Sequence, residues 1–359
     1  MIVHVLNLNL MAYQLNFSVI RIYIRLYKDT ISENEKPFFL LYGQTNKEII
    51  DKYNEIYNEL NWIDFCYCTT RKELHKFIHN YKTHPYLLHG MTYKGIFGMI
   101  TSSAKNLNWV CWGAGTRINY KNWKSVVFTP VKYWLYHHFR TTIVLLKGDK
   151  QTLEKYFGMK NIIILPYYME KHERMQNVYD SLRSISRNSS KPVVYLGNSG
   201  NCMDSYFELL NRLERFAGKI ELHCMLQYMA PPVAKRKDEL ISLGTRLFGK
   251  DFYPDTTYMD PESYLQYMNR CDVYICGAKE QSGLGAIGCC LTLGKKVYIT
   301  GKNYSHILEQ SHYKFFELSE LDDNFCIPLS EEDSYRNYKL QYAILDPIKK
   351  QWLGYLRTL

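Results

Sequence analysis

The sequence lacks the signals of several common protein classes. Its 359 residues include ten cysteines but no C-x-x-C pair, and Cys276, Cys289 and Cys290 stand in apolar segments, as buried free thiols do. A structural zinc site and a disulfide framework are therefore not expected. No segment approaches the roughly 18 uncharged apolar residues of a membrane span, and the first residues have neither the basic region nor the cleavage site of a signal peptide. We expect a cytosolic, reduced protein that is at most peripheral to a membrane.

Tyrosine and positive charge, by contrast, are in excess. The chain has 32 Tyr and 16 Phe, and tyrosine, being amphipathic, suits polar–apolar boundaries such as a membrane surface. The 45 Lys and Arg outnumber the 35 Asp and Glu, which gives a formal net charge of +10. This balance favours anionic partners, whether phosphates, acidic lipids or nucleic acid. Because no nucleic-acid recognition motif accompanies the charge, nucleic acid is not expected as a partner.

Short apolar runs alternate with amphipathic stretches along the chain, which is typical of βαβ units and a parallel sheet. The predicted strands are Ile2–Leu6, Phe38–Tyr42, Phe65–Cys68, Tyr86–His89, Trp109–Trp112, Ile143–Leu146, Ile162–Leu165, Val193–Leu196, Leu222–Leu226, Val273–Cys276 and Val297–Thr300. The predicted helices include Phe17–Lys28, Lys47–Leu60, Ser205–Phe216, Val233–Leu247, a helix opened by Pro261 that ends near Cys271, and Leu284–Leu293 closed by Gly294.

A polar segment divides this pattern into two Rossmann-like halves. Residues 171–191 end in Ser, Asn, Lys and Pro and form the best linker in the chain. The predicted domains are therefore 1–170 and 192–330, followed by a C-terminal helical segment, 331–359, that is a candidate to pack back on the first domain. In open α/β sheets, ligands bind outside the carboxyl ends of the strands, so a ligand is expected in the cleft between the halves.

The first candidate site is a loop with two glycines. Gly197, Asn198, Ser199 and Gly200 lie between the strand Val193–Leu196 and a helix. Glycines there let backbone N–H groups face a phosphate, and the helix N-terminus favours negative charge. The loop is not G-x-G-x-x-G, so it lacks the dinucleotide fingerprint. An ordinary strand-to-helix turn with an Asx motif is the alternative interpretation.

A second loop of the same form lies within residues 277–290. Gly283, Leu284 and Gly285 stand at the predicted helix start, where another set of N–H groups would point into the cleft. Glu280 precedes them, and an acid here can accept hydrogen bonds from ribose or sugar hydroxyls. The alternative is a pair of packing glycines beside a solvated Glu280. The presence of two such loops in one sheet favours phosphate binding over the alternative of packing glycines.

Candidate residues also follow the strands of the first half. His89 ends a predicted strand and precedes Gly90, so it is expected to face the cleft as a general base or as a ligand of a diphosphate. Arg117, after the Trp-Gly-Ala-Gly stretch, has the reach to contact a phosphate. The alternatives are a hydrogen-bonded structural histidine and a surface arginine at a helix start.

Residues 120–140 mix basic and aromatic side chains, a composition that suits an anionic membrane surface. A helix packed on its own domain with a solvated basic face explains the same composition. The residues assigned to the expected membrane patch are Lys121, Trp123, Lys124, Lys132, Trp134 and Arg140.

These segments together resemble the dTDP-N-acetylfucosamine:lipid II N-acetylfucosaminyltransferases of enterobacterial common antigen synthesis, glycosyltransferase family 56. The matching segments are VHVLN near the start, LLHG (87–90), CWGAG (111–115), LLKGD (145–149), VVYLGNSGN (193–201), APPVAKRKDELISLG (230–244), residues 270–299 and Trp352. The resemblance covers nearly the full chain, and its most specific segments are the GNSG loop and QSGLG (281–285).

The resemblance implies a GT-B fold, with two Rossmann-like domains facing across a cleft. It implies transfer of an amino-deoxy sugar from a dTDP-sugar to a polyprenyl-diphosphate-linked acceptor, at the cytoplasmic face of the bacterial inner membrane. No D-x-D stands in a loop that would suit a metal-held diphosphate, so we expect no metal and no cofactor. Two other functions stay open: a nucleotide-sugar 2-epimerase on the same fold, and a non-catalytic nucleotide-binding assembly subunit.

Overall fold

The computed structural model shows two α/β domains, each built on a parallel sheet, as the sequence predicts. It describes residues 1–8, 19–20, 22–24, 26–27, 37–43, 47, 50–51, 53–54, 63–90, 92–112, 116, 127–166, 180–182, 190–197, 203–227, 236–257, 259, 261–309 and 312–359. The predicted Arg117, Lys121, Trp123 and Lys124 lie outside the described residues, as do Asn198, Ser199 and Gly200.

Two compact units divide the chain. The first domain comprises Met1–Glu170 together with Asp346–Leu359, and the second comprises Lys171–Leu345. The segment predicted as a linker, residues 171–191, thus falls in the second domain, where Leu182 is part of the hydrophobic core.

The first domain is built on a seven-stranded sheet. Its strands are β1 (Val3–Asn7), β2 (Phe38–Tyr42), β3 (Asp64–Cys68), β4 (Tyr86–His89), β5 (Leu107–Cys111), β6 (Thr141–Val144) and β7 (Ile162–Ile164). They are parallel and lie in the order β3-β2-β1-β4-β5-β6-β7. The chain order reverses between β1 and β4, so the topological switch point of this sheet lies at their carboxyl ends.

Helices with complete bounds in the first domain are α1 (Arg71–Asn80), α2 (Tyr93–Thr101), α3 (Thr129–Tyr136) and α4 (Lys147–Phe157). Helical residues are also described in part among 19–27 and 47–54. A capping box opens α1, since Thr70 Oγ1 accepts from the Glu73 N–H and Glu73 accepts from the Thr70 N–H. Gly158, in the left-handed region at φ 59°, ends α4.

The second domain has a six-stranded parallel sheet of the order β10-β9-β8-β11-β12-β13. Its strands are β8 (Val193–Leu196), β9 (Glu221–Met225), β10 (Phe252–Asp255), β11 (Val273–Cys276), β12 (Lys296–Ile299) and β13 (Phe316–Glu317). The apolar runs of β8 and β11 are buried along their whole length because helices cover both faces of the sheet. The switch point lies between these two strands.

The helices that follow are α5 (Met203–Leu213), α6 (Lys237–Phe248), α7 (Pro261–Arg270), α8 (Leu284–Thr292), α9 (Gly301–Glu309), α10 (Glu331–Ala343) and α11 (Leu345–Arg357). Short 3₁₀ turns lie at Glu214–Phe216, Gly249–Asp251 and Leu318–Glu320. Nearly all of α11 belongs to the first domain, where Trp352 is buried and donates from its indole Nε1 to the Pro166 carbonyl at 2.8 Å.

The eleven predicted strands are present with ends displaced by at most two residues, whereas β10 and β13 are not among the predicted strands. None of the helices in the described part of the chain has the length and apolar character that crossing a bilayer requires.

Candidate functional site

The carboxyl ends of β8 and β11 flank the switch point of the second sheet, where ligands of open α/β sheets bind. The chain leaves β8 at Gly197, in the left-handed region at φ 60°. A Cβ on Gly197 would lie 2.0 Å from the ring of Tyr206, which is fully buried and donates to the Met225 carbonyl. The close approach that Gly197 permits is therefore that of Tyr206. Phosphate contact by the other three residues of this loop stays a prediction.

The loop after β11 leads to an open helix N-terminus. Gly283 caps α8 with φ 72°, and its carbonyl accepts the first helical hydrogen bond, from the Ile287 N–H at 2.8 Å. The N–H groups of the first turn therefore lack intrahelical acceptors, and no acidic side chain lies in that turn. Gly285 is exposed, and a Cβ built on it meets nothing within 4 Å. This helix start offers hydrogen-bond donors and the positive end of the helix dipole to an anion.

Residues 283–288 read Gly-Leu-Gly-Ala-Ile-Gly, which is a G-x-G-x-x-G arrangement at the start of a helix. The loop at Gly197–Gly200 lacks this pattern, whereas the second loop has it. At Gly288 a Cβ would lie 3.6 Å from Gln341 Oε1 of α10, an ordinary contact distance, so the packing of α8 on α10 does not require the third glycine. Six residues separate Gly283 from the end of β11, so the motif is not the compact dinucleotide fingerprint.

Asn303, which sequence reasoning missed, holds the second loop in place. Its side chain is fully buried in the first turn of α9, donates to the Ser282 carbonyl at 2.7 Å and accepts from the Ser282 N–H at 3.4 Å. Ser282 is the residue immediately before the α8 cap. The available signal was the strand–Gly–helix form of the Thr-Gly-Lys-Asn stretch after β12, the same form that identified the first two loops.

The start of α9 also supports the loop through its backbone. The Lys302 N–H donates to the Lys279 carbonyl at 3.0 Å, and a Cβ on Gly301 would lie 2.2 Å from that same oxygen. Lys302 Nζ pairs with Glu280 Oε2 at 2.7 Å, while the Glu280 side chain stays 43% exposed. The carboxylate is thus oriented by a cation and still open to further donors. Its predicted role toward sugar or ribose hydroxyls stays a prediction.

Two glutamines at the carboxyl edge of the second sheet have buried amide atoms that no partner satisfies. Gln227 follows β9, and neither its Nε2 nor its Oε1 has a hydrogen-bond partner among the described residues. Gln281 Oε1, in the loop after β11, is in the same situation. Leaving such atoms unpaired is unfavourable, so a ligand that satisfies them gains binding free energy. Gln227 was not singled out from the sequence, because an isolated glutamine after a strand gives no pattern, and Gln281 was named only as the first residue of the QSGLG segment, without a role of its own.

In the first domain, His89 ends β4 as the sequence predicts, but its side chain does not face open space. Its side chain has no exposed surface, and its Nε2 lies 3.0 Å from His4 Nδ1, while His4 Nε2 lies 2.8 Å from the Tyr27 hydroxyl. Gly90, at φ 51°, makes room for the indole of Trp112 rather than for a substrate, since a Cβ there would lie 2.0 Å from that ring. The expectation of open space beside His89 is therefore wrong.

Burial sets the electrostatics of this histidine pair. Desolvation lowers the pKa of His4 to about 3. The pKa of His89 lies well below its usual value, first because of burial and second because of the adjacent His4. Both rings are therefore neutral near pH 7, and His89 is a weaker proton acceptor than an exposed histidine. Its Nδ1 is buried and has no hydrogen-bond partner among the residues that the structure describes, and it has no exposed surface through which a ligand could reach it.

Three residues of the expected membrane patch, Lys132, Trp134 and Arg140, are among the described residues, and one of them does not face outward. Lys132 is buried, with Nζ 5.1 Å from the centroid of the Tyr93 ring, so its charge does not face outward as expected. Trp134 is 45% exposed and Arg140 is exposed.

The model of the family described as 4-alpha-L-fucosyltransferase, glycosyl transferase group 56, matches residues 1–334. A comparison with curated protein sequences gives no match. Among the similar solved structures, HepE from Anabaena in complex with UDP and glucose has a TM-score of 0.67 and 13% sequence identity, over 100% of this chain and 99% of that chain. A glycosyltransferase from Rickettsia africae has a TM-score of 0.59 and 11% identity, over 98% of this chain and 96% of that chain. The E. coli trehalose-6-phosphate protein bound with UDP-2-fluoro glucose has a TM-score of 0.59 and 9% identity, over 99% of this chain and 98% of that chain. These likenesses show the GT-B fold.

Proposed function

The chain belongs to glycosyl transferase group 56, the family of 4-alpha-L-fucosyltransferases, and on that premise we propose a donor, an acceptor and a donor site for its reaction. The enzyme is a nucleotide-sugar glycosyltransferase. The proposed donor is a dTDP-linked amino-deoxy sugar resembling N-acetylfucosamine. The proposed acceptor is a saccharide linked to polyprenyl diphosphate in bacterial surface polysaccharide synthesis, at the cytoplasmic face of the inner membrane.

The observation that carries the donor site is the open N-terminus of α8. The acceptor hydroxyl attacks the anomeric carbon, the bond from that carbon to the diphosphate breaks, and the nucleotide diphosphate departs with the electron pair. The hydroxyl proton passes to solvent or to an oxygen of the departing diphosphate. The departing charge is stabilised by donors that are already oriented, and the first-turn N–H groups of α8 supply such donors. Asn303 keeps them in position through Ser282, and Glu280 is the proposed partner of the ribose or sugar hydroxyls.

Gln227 is the proposed reader of the nucleobase. A glutamine amide offers one acceptor and one donor side by side, and the N3–H and O4 edge of uracil or thymine is complementary to that pair. Both of its amide atoms are buried and unsatisfied, as expected for a group that waits for such an edge. UDP and dTDP share this edge, so the choice between them depends on contacts with the 5-methyl group of thymine.

A thermal-shift panel tests the donor. We expect dTDP and UDP to raise the midpoint of unfolding, and ADP and GDP, which carry purines, to leave it unchanged. Gln227→Leu removes the amide at nearly constant volume and should abolish the base preference while the unliganded protein stays as stable as the wild type or becomes more so. Equal shifts with all four diphosphates in the wild type would contradict base reading by Gln227.

The acceptor is tested by turnover. Incubation of the purified protein with a dTDP-amino-deoxy sugar should release dTDP only when a polyprenyl-diphosphate-linked saccharide is present. Conversion of the nucleotide sugar to an epimer without any acceptor would contradict the proposed reaction. So would dTDP binding with no release across a panel of lipid-linked saccharides.

A further inference from the structure

Exposed apolar and aromatic side chains are concentrated on one surface of the first domain. Thirteen large apolar or aromatic side chains are exposed among the described residues, and seven of them lie on α2, on α3 or in the two residues before α3. We call this set the docking face: Tyr93, Phe97, Val127, Phe128, Val131, Tyr133 and Trp134. Single exposed apolar residues are normal on a protein surface, but a contiguous group marks a surface that meets a partner.

The docking face is continuous across the two helices. The rings of Phe97 on α2 and Trp134 on α3 lie 6.2 Å apart between centroids. Val127, Val131 and Trp134 follow one another at intervals of four and three residues, which places them along one side of the helical turn. Leu135 next to them is buried, so α3 is anchored by its other side while this stripe stays exposed.

Positive charge predominates around the docking face, although α1 and α4, which pack against α2 and α3, carry the exposed acids Glu73 and Glu154. Residues 74–148, which contain all of the docking face, include ten Lys and Arg and no Asp or Glu. Lys94 on α2 and Arg140 after α3 are exposed, and the Arg71 guanidinium lies 5.9 Å from the centroid of the Phe97 ring. This excess of positive charge favours an anionic partner over a second copy of the same surface.

We propose that the docking face rests on the surface of an anionic lipid bilayer, with its aromatic rings in the headgroup region. This proposal deepens the proposed function, since a lipid-linked acceptor lies in such a bilayer. Trp, Tyr and Phe flanked by basic side chains are the composition of protein surfaces that lie in the membrane interface. Apolar burial and attraction to acidic lipids reinforce each other, so neither has to be strong alone.

The sequence predicted a membrane patch on residues 120–140, and the docking face differs from it in two respects. Phe97 and Tyr93, on a separate helix, belong to it, whereas Lys132 turns inward. The contribution of α2 is visible only in the fold, because α2 and α3 are far apart in sequence and adjacent in space.

Vesicle co-sedimentation of the full chain tests the proposal. Vesicles of 70% phosphatidylcholine and 30% phosphatidylglycerol should bind the protein, and high salt should weaken the binding. Phe97→Ser and Trp134→Ser should each lower the partition coefficient by about tenfold, because each removes about half an aromatic side chain from the interface. Lys94→Glu should lower it as well, by about fivefold.

Matched controls lie in the second domain. Tyr335→Ser and Ile327→Ser remove side chains that are 51% and 59% exposed and that belong to the second domain, not to the docking face. Lys250→Glu reverses an exposed charge there. All three should bind vesicles as the wild type does. The inference is overturned if the docking-face variants also bind as the wild type does, or if the wild type does not sediment with these vesicles. Equal binding to pure phosphatidylcholine at high salt would overturn the anionic part.

A second readout separates this inference from the proposed function. The midpoint shift caused by dTDP should be the same in the wild type and in Trp134→Ser. A protein that binds dTDP and no vesicle refutes the docking face and leaves the donor assignment intact. A protein that binds vesicles through the docking face but binds no nucleotide refutes the donor assignment and leaves the docking face intact.

Discussion

Asn303 and Asn337 are two fully buried asparagines of the second domain that make the same kind of contact. Asn303 forms hydrogen bonds with both the N–H and the carbonyl of Ser282. Asn337 does the same with Lys314, donating to the Lys314 carbonyl at 2.8 Å and accepting from the Lys314 N–H at 2.7 Å. Their energetic roles are alike because each satisfies one donor and one acceptor of an irregular segment. Only Asn303 holds the loop that opens α8.

Replacing each asparagine by alanine therefore separates stability from binding. Asn303→Ala and Asn337→Ala should both lower the free energy of unfolding, by about 2 to 4 kcal/mol, since each leaves two backbone groups unpaired. Only Asn303→Ala should also weaken dTDP binding. Urea unfolding and calorimetric titration on the same preparations measure the two effects. Equal loss of dTDP affinity in both variants would show that Asn303 acts through stability alone.

The His4–His89 pair predicts that the first domain loses stability in acid. In the unfolded chain a histidine takes up a proton near pH 6.5, whereas burial holds the pKa of His4 in the folded state at about 3 and that of His89 well below its usual value. Between these limits the unfolded state binds more protons, so the contribution is complete above pH 6.5 and is lost as the pH falls. Each group contributes about 1.4 kcal/mol per pH unit over that range.

Urea unfolding at pH 7.5, 6.0 and 5.0 measures this slope. His4→Gln should be less stable than the wild type at pH 7.5, because Tyr27 and His89 lose a partner. As the pH is lowered, however, its free energy of unfolding should decrease less steeply than that of the wild type. His138→Gln, at an exposed position, is the control and should keep the slope of the wild type. The buried pair is not the cause of acid sensitivity if His4→Gln keeps that slope too.

At the scale of elements, α11 closes the first domain from the far end of the chain. Trp352 is 1% exposed, stands edge-on to Tyr23 at 5.5 Å and bonds the Pro166 carbonyl. Trp352→Ala should lower the free energy of unfolding by about 3 to 5 kcal/mol. Trp352→Phe keeps a ring and should lose about 1 to 2 kcal/mol through the missing hydrogen bond.

Trp134 provides the control for this prediction, because it lies in the same domain but is 45% exposed. Trp134→Ala should change the free energy of unfolding by less than about 1 kcal/mol. Urea midpoints of the three variants give the comparison. A loss in Trp134→Ala as large as that in Trp352→Ala would mean that burial does not set these costs.

The strands that were missed show where sequence patterns fail. β10 has the sequence Phe-Tyr-Pro-Asp, and a proline argues against a strand unless that strand lies at a sheet edge, where the missing N–H is not needed. β13 has only two residues, too few for any periodicity. The central strands β8, β11 and β12 were predictable because they are buried on both faces and carry continuous apolar runs.

The same division applies to the candidate site. Gly283 and Gly285 could be found because a strand, a glycine and a helix in succession leave a local pattern. Why Gly197 and Gly90 have to be glycines could not be found from the sequence. A Cβ there would collide with Tyr206 and Trp112, and only the fold brings these side chains close. Asn303, Gln227 and His4 acquire their partners, or their lack of partners, through tertiary structure.

At the scale of the molecule, positive charge is unevenly distributed between the domains. Residues 74–148, which contain no Asp or Glu, lie in the first domain, whereas the proposed donor loops lie in the second. We infer a division of labour in which the second domain binds the nucleotide sugar and the first meets the lipid-linked acceptor. The family and the fold class are confirmed, while the division of labour depends on the donor site being at α8.

The most direct test of that site is calorimetric titration of dTDP into Gly285→Asp. The position is exposed with free space around it, so an aspartate should fold normally, and a carboxylate in the first turn should stabilise α8 slightly. It would also repel the diphosphate. Gly354→Asp in α11, another exposed helical glycine with free space, is the control. We expect Gly285→Asp to lower dTDP affinity at least about tenfold without loss of stability, and Gly354→Asp to bind like the wild type. Wild-type dTDP affinity in Gly285→Asp would contradict a donor site at α8.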